Sequence, residues 1–249
     1  MVRHNEWGQA IGPELLGFTA PLAPPRAPIH GAYVDLEPLD PERHAASLWH
    51  ALEGLSASHW TYLPYGPFAT FPAFRAWLSR DCAGDDPLFF AVVDRPTRDA
   101  IGLASYLRVQ RASACLEVGH LNFSMRLARR PGATEAMAAM MRRAFELGYR
   151  RYEWKCDALN APSRAAALRL GFQFEGVFRQ ATLYKGRSRD TAWYSVIDRE
   201  WPALDRAFRA WLSPDNFDAE GRQRSRLLEH RQSTAGAPAD SIGAERSLA

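Results

Sequence analysis

At 249 residues, 47% apolar and 12% aromatic, the chain has the material for one substantial folded domain with tails, or at most two small ones. Its 31 basic and 28 acidic residues leave a formal charge of +3, an excess too small to make nucleic acid its main partner. No run of about 18 apolar residues is present to cross a membrane, and the N-terminus lacks the apolar core of a signal peptide.

Residues 1–29 are rich in Pro and Gly, and PLAPPRAPI forbids a helix or a central strand. They read as an extended arm, with Trp7, Ile11, Leu15, Leu16 and Phe18 available to pin it. Gly31 to Leu36 is a first strand, and Asp40-Pro41-Glu42 opens a helix with Asp40 as N-cap. The loop HWTYLPYGPF, residues 59–68, is dense in aromatics for a connector. It is either a rigid plug over the core or one wall of a substrate pocket with Tyr62 and Tyr65 as polar tips. A second helix follows over Phe71–Leu78, then a buried strand over 87–94 and its hairpin return over 100–109. CLEVGHLNF makes a third strand, RRYEWKCD another, and NAPSRAAALRLGF a short helix closed by Gly171. Two more strands joined by KGRSRD come next, then terminal helices over Trp201–Leu212 and Asn216–Leu228. From about residue 230 the Ser/Ala/Gly/Pro-rich tail has little to bury and is expected to be disordered. Cys82, Cys115 and Cys156 show no metal or CxxC spacing, which fits free thiols in a reducing cytoplasm.

The chain is organised around Cys115–Gly148. A short strand passes through a basic turn into an amphipathic helix whose apolar stripe is Ala133, Met137, Met140, Met141, Ala144 and Leu147. The free N–H groups and positive dipole end of such a helix suit an anion. Arg129 and Arg130 add charges suited to phosphate. The plainer alternative is a strand-to-helix crossover with a solvated turn.

With LEVGH before this helix, GATEAM at its head and ALNAPSRAAALRLGFQFEG beyond it, the chain resembles the GCN5-related N-acetyltransferase (GNAT) superfamily. More narrowly, it is similar to the RimJ/RimL-type ribosomal-protein N-terminal acetyltransferases. The resemblance spans roughly residues 30–198. It implies an α/β fold with a mostly antiparallel twisted sheet of about seven strands, a splayed parallel pair and flanking helices. The expected organisation is an arm over 1–29, an acetyltransferase domain over 30–200, helices over 201–229 and a tail over 230–249.

The resemblance further implies acetyl-CoA as cosubstrate, no metal, a primary amine as acceptor and a possible homodimer. It places the cofactor against Leu121, Phe123, Arg129, Arg130, Gly132, Ala133, Thr134, Asn160 and Arg164, with Trp154 on the facing strand. Asn160 would bond the pantetheine arm, and Ser163 would lie near the sulfur and could protonate the leaving thiolate; capping of the short helix alone also accounts for both residues. The phosphate loop departs from the family pattern at Ala128, Pro131 and Ala133, and Pro131 has no N–H to give. Gly132 is expected to give that turn its freedom. Ala167 stands where many members carry a tyrosine acid.

Acetyl transfer needs a neutral amine, a stabilised carbonyl oxygen and held partners. A peptide α-amine, with pKa of roughly 8, is far more often neutral near pH 7 than a lysine at about 10.4. Glu117 is the candidate base, or else a structural ion-pair partner. His120 is the rival base or an interior histidine. Three residues apart in a regular strand, the two face opposite sides unless a bulge intervenes. His120, Tyr62, Tyr65 and Trp154 are the candidate acceptor contacts. The competing readings are a degenerate acyl-CoA- or partner-binding relative, and an arginine-rich adaptor for RNA.

Overall fold

The computed structural model describes residues 2–235. A small hairpin, β1 (Arg3–His4) with β2 (Ala10–Ile11), precedes β3 (Ile29–His30) and β4 (Val34–Pro38). Two helices, α1 (Pro41–Leu52) and α2 (Phe71–Asp81), lead into the antiparallel run β5 (Leu88–Asp94), β6 (Ala100–Gln110) and β7 (Cys115–Phe123). The long helix α3 (Pro131–Glu146) crosses to β8 (Arg151–Asp157), and α4 (Ala161–Arg169) precedes the hairpin β9 (Gln173–Tyr184) and β10 (Arg187–Ile197). Helices α5 (Trp201–Leu212) and α6 (Leu227–Ala235) complete the described chain. The main sheet has eight strands in the order β3-β4-β5-β6-β7-β8-β10-β9, one more than the sequence suggests because Ile29–His30 pairs along β4. Every neighbour is antiparallel except β7 and β8.

Local chemistry accounts for the elements. Asp40 caps α1 by accepting the Glu42 N–H at 2.9 Å, with Pro41 in the first turn. The apolar stripe of α3 (Ala136, Met137, Met140, Met141, Ala144) is buried with Leu116, Val118 and Tyr152 on one face of the sheet. On the other face, Leu48, Leu52, Phe74 and Trp77 of α1 and α2 cover Phe89, Ala91, Val93 and Leu103. The aromatic loop joins this second core through Trp60, Leu63, Tyr65 and Phe68.

Several expected boundaries move. Helix α3 starts at Pro131, one residue before the GATEAM head, because proline fits the first helical position, where no intrahelical bond needs its N–H. The second C-terminal helix lies over Leu227–Ala235 instead of Asn216–Leu228; Asn216 instead ends a short turn, buried and bonded to the Trp211 and Ser225 carbonyls. Residues 230–235, expected in the tail, are helical, and the tail beyond lies outside the described residues. The β9–β10 turn is only Lys185-Gly186, both at positive φ, as a tight two-residue hairpin requires. In the arm, Trp7 and Leu16 are largely exposed and do not pin it. Main-chain carbonyls do: Pro21 accepts from Arg111, Leu22 from the Tyr149 hydroxyl and Pro28 from Arg143.

On β4, Asp35 and Glu37 are buried and both grip Arg98, at 2.6 Å each. Burial pushes both carboxyls up, but bonds from Arg98 and His30 to Asp35, and from His44 and Arg43 to Glu37, outweigh it and hold them below their usual range. Their stabilisation is therefore complete above the unfolded-state values near 4 and is lost as pH falls through the lower folded values. Thermal melts from pH 7 to 3 should show it, and Asp35→Asn should flatten the acid limb; an unchanged limb would remove the pair from the account.

Candidate active site

The seam between β7 and β8 organises the site. The two strands pair in parallel only from Cys115↔Arg151 to Val118↔Trp154 and then diverge. β8 continues along β10 as far as Asp157↔Thr191, while β7 continues along β6. Beyond Val118, no strand among the described residues pairs with the β8-facing edge of β7. Backbone donors and acceptors there are available to a ligand. The β6 register shifts between Ser105↔Gly119 and Leu103↔Asn122, so β7 carries an extra residue at a bulge, where His120 has φ +51°. That bulge turns the His120 ring onto Phe89 and Tyr65, the sheet face from which Glu117 also projects, opposite Leu116 and Val118. The two rivals for the base thus share a face.

At the head of α3 the sharp turn falls on Arg129, at φ +62°, and not on Gly132. Gly132 is helical and buried, and a Cβ there would meet Val34 Cγ1 at 2.8 Å, so its role is close packing. The side chains of Arg129 and Arg130 are exposed, with no side-chain hydrogen bond or ion pair among the described residues. The Ala133 N–H closes back on the Arg130 carbonyl at 3.1 Å. Thr134 is buried and its hydroxyl accepts from Arg169 at 3.0 Å.

Glu117 is 4% exposed and its Oε2 takes two cations, Arg108 at 2.7 Å and Lys155 Nζ at 3.0 Å. Neither ion pair uses Oε1. Lys155 also reaches Glu153 at 2.7 Å and lies 3.6 Å from the centre of the Trp193 ring. Arg151 extends the network to Glu153 and Glu175.

His120 departs from a satisfied interior histidine: its Nδ1 is buried without a partner. Burial, reinforced by nearby Arg108, pulls its pKa down to about 4, so the ring is neutral at pH 7. Tyr65 stacks on it at 5.7 Å with its own hydroxyl buried and unpartnered, while Tyr62 donates to the Leu159 carbonyl at 3.1 Å and ties the aromatic loop to the head of α4. Lys185 and Arg187 of the β9–β10 hairpin clamp the same loop at the Trp60 and Thr61 carbonyls.

Asn160 caps α4, accepting the Ser163 N–H at 3.1 Å, and Ser163 Oγ accepts from the Trp154 indole at 3.0 Å. Trp154 therefore sits with Phe172 on the α3 face, apart from Tyr62, Tyr65 and His120 on the other, so these four acceptor candidates do not form one group. Arg164 is engaged by the Tyr194 hydroxyl and the Ala158 carbonyl. Leu121 and Phe123 are half-buried beside the α3 core, and Ala167 is buried within it. Sequence reasoning passed over Lys155, His59 and Asn122. Lys155 had a signal, the alternation Glu153, Lys155, Asp157 along one strand face. Asn122 had none, since only the bulge decides which way it points. Among the described residues no His/Cys/Asp/Glu grouping could hold a metal ion, and no helix is long and apolar enough to cross a membrane.

Comparison with known proteins agrees with this geometry. The family model "Acetyltransferase (GNAT) domain" matches residues 34–173. A GCN5-related N-acetyltransferase from Brucella melitensis is 45% identical and superposes with a TM-score of 0.86, over 88% of this chain and 100% of that one. A probable acetyltransferase of the GNAT family from Chromobacterium violaceum is also 45% identical, with a TM-score of 0.72 over 77% of this chain and 96% of that one. The microcin C7 self-immunity acetyltransferase MccE, solved with acetyl-CoA and AMP, shares the fold at 19% identity and a TM-score of 0.59, over 67% of this chain and 93% of that one. A search of curated proteins finds no significant match. The chain therefore belongs to the GNAT acetyltransferase family.

Proposed function

We propose that the chain is an acetyl-CoA-dependent N-acetyltransferase acting on a primary amine, in the manner of the RimJ/RimL-type branch its α4 motif resembles. The observation that carries this reading is the unpaired edge of β7 beyond Val118, beside an α3 entry with two uncommitted arginines. Arg129, Arg130 and the first turn through Gly132, Ala133 and Thr134 face the cofactor's diphosphate. Leu121 and Phe123 flank the pantetheine arm, and Asn160 and Arg164 hold the far side. Pro131 withholds one N–H at the first helical position, so the two arginines carry more of the diphosphate's charge.

The amine nitrogen attacks the thioester carbon, the new C–N bond forms as the C–S bond breaks, and in sum one proton leaves nitrogen and one reaches the departing thiolate. Glu117, with Oε1 outside both ion pairs, takes the amine proton, Ser163, oriented by Trp154, gives its own to sulfur, and the proton held by Glu117 restores the serine by way of solvent. Thiol release from acetyl-CoA with a panel of peptides and small amines tests the reaction; none with any amine refutes it. Replacing Arg129 and Arg130 together with Ala should weaken CoA binding by roughly 30-fold, about 2 kcal/mol for lost charge-assisted bonds. Unchanged affinity by calorimetry would remove both from the site.

A further inference from the structure

The aromatic loop and the β7 bulge together hold a group of polar atoms that the fold itself leaves unspent. Asn122 is wholly buried, and His59 Nε2 lies 2.7 Å from its Oδ1. That contact assigns the oxygen end of the amide and leaves Nδ2, which is buried and without a partner, as a double donor. The Tyr65 hydroxyl and His120 Nδ1 are buried and unpartnered in the same way. Interior polar atoms are nearly always paired, and each one left over costs about 1–3 kcal/mol. Three such atoms, on two segments that meet at one place, form an interior polar cluster that no side chain among the described residues completes.

The surroundings define what completes it. The walls are aromatic: Tyr65 lies 4.2 Å from Trp77, His120 lies 4.9 Å from Phe89, and Trp60 stands beside both His59 and Tyr65. Among the described residues no carboxylate bonds to His59, Tyr65, His120 or Asn122, and the charge of the nearby Glu117 is already balanced by Arg108 and Lys155 at its Oε2. A polycation would therefore find no counter-charge here. The Asn122 amide and Tyr65 hydroxyl are donors in search of an oxygen, while the neutral His120 ring can meet an amine N–H.

Resting on the acetyl-transfer reading above, we infer that His59, Tyr65, His120 and Asn122 select the acceptor. That acceptor is an amine bearing a carbonyl or hydroxyl oxygen a few bonds from its nitrogen, as a peptide N-terminus does, in preference to a plain alkylamine or a polyamine. His59 is a positioning residue, fixing the Asn122 amide, and the other three touch the acceptor.

The test uses the full chain, acetyl-CoA and three probes: a serine-initiated tetrapeptide amide, n-butylamine and spermidine. The expected kcat/KM for the peptide exceeds both others by about tenfold or more, the worth of one or two buried hydrogen bonds. Tyr65→Phe, which removes one oxygen from a packed ring, and Asn122→Leu should each raise the peptide KM about tenfold with the KM for acetyl-CoA unmoved, and so narrow the preference. Should Asn122→Leu fail to fold, Tyr65→Phe alone decides. His59→Gln, which can still donate to Oδ1, should retain more of the preference than His59→Phe. Equal rates with peptide and butylamine, faster turnover of spermidine, or a full preference in Tyr65→Phe would overturn the assignment while leaving acetyl transfer standing. Absence of thiol release with every amine would overturn acetyl transfer and this pocket with it.

Discussion

Replacing Lys155 with methionine should lower stability by about 3 kcal/mol, a fall in Tm of roughly 6–12 °C for a domain of this size. The ammonium is 5% exposed and lies between Glu117 and Glu153, whose side chains are 5% and 10% exposed. Removing it leaves two interior carboxylates with one arginine each, Arg108 and Arg151, and deletes the contact with the Trp193 ring. Methionine fills most of the volume, so the loss is electrostatic and not a cavity. That origin has a signature. Burial pushes the Glu153 carboxyl up while bonds from Lys155 and Arg151 hold it below its usual range, so the variant loses one of those supports and the gap between variant and parent should shrink as pH falls. A gap independent of pH would show that packing, not charge, sets the effect.

Glu117→Gln should lower turnover by about 100-fold or more, the lower range for a positioned acid or base, with the KM for acetyl-CoA nearly unchanged. The amide keeps an oxygen for Arg108 and Lys155, so the fold is not the casualty. What disappears is the proton acceptor on the β7 face shared with His120. His120→Gln makes the contrast: it removes a ring whose pKa of about 4 suits it to hold an amine by hydrogen bond and not to store its proton near neutrality. Its turnover should fall less than that of Glu117→Gln. A loss below threefold in Glu117→Gln would leave Glu117 as an ion-pair partner only.

Much of the fold is legible in the sequence because its signals are local. Asp40-Pro41 and Asn160 three residues before Ser163 each announce a helix start, and both cap as their side chains allow. The apolar spacing of α3 similarly declares which side faces the sheet. Period-2 reasoning, by contrast, runs out at His120. Nothing within CLEVGHLNF reveals that its partner strand will skip a residue, yet that skip decides whether Glu117 and His120 cooperate. The α3 turn misleads for a related reason. Glycine is the expected bearer of a left-handed φ, but Gly132 is needed where Val34 crowds it, and Arg129 takes the strained position. Trp154 is placed by burial against Phe172, which a single strand sequence does not disclose.

The short parallel contact between β7 and β8 also divides the molecule mechanically. Five strands, β3 to β7, form one antiparallel block and β8 to β10 a second, and within the sheet only four facing residue pairs sew them together. A compound lying along that join acts as a rivet between plates. Its grip would register as slower amide exchange on both sides at once, far beyond the residues it touches.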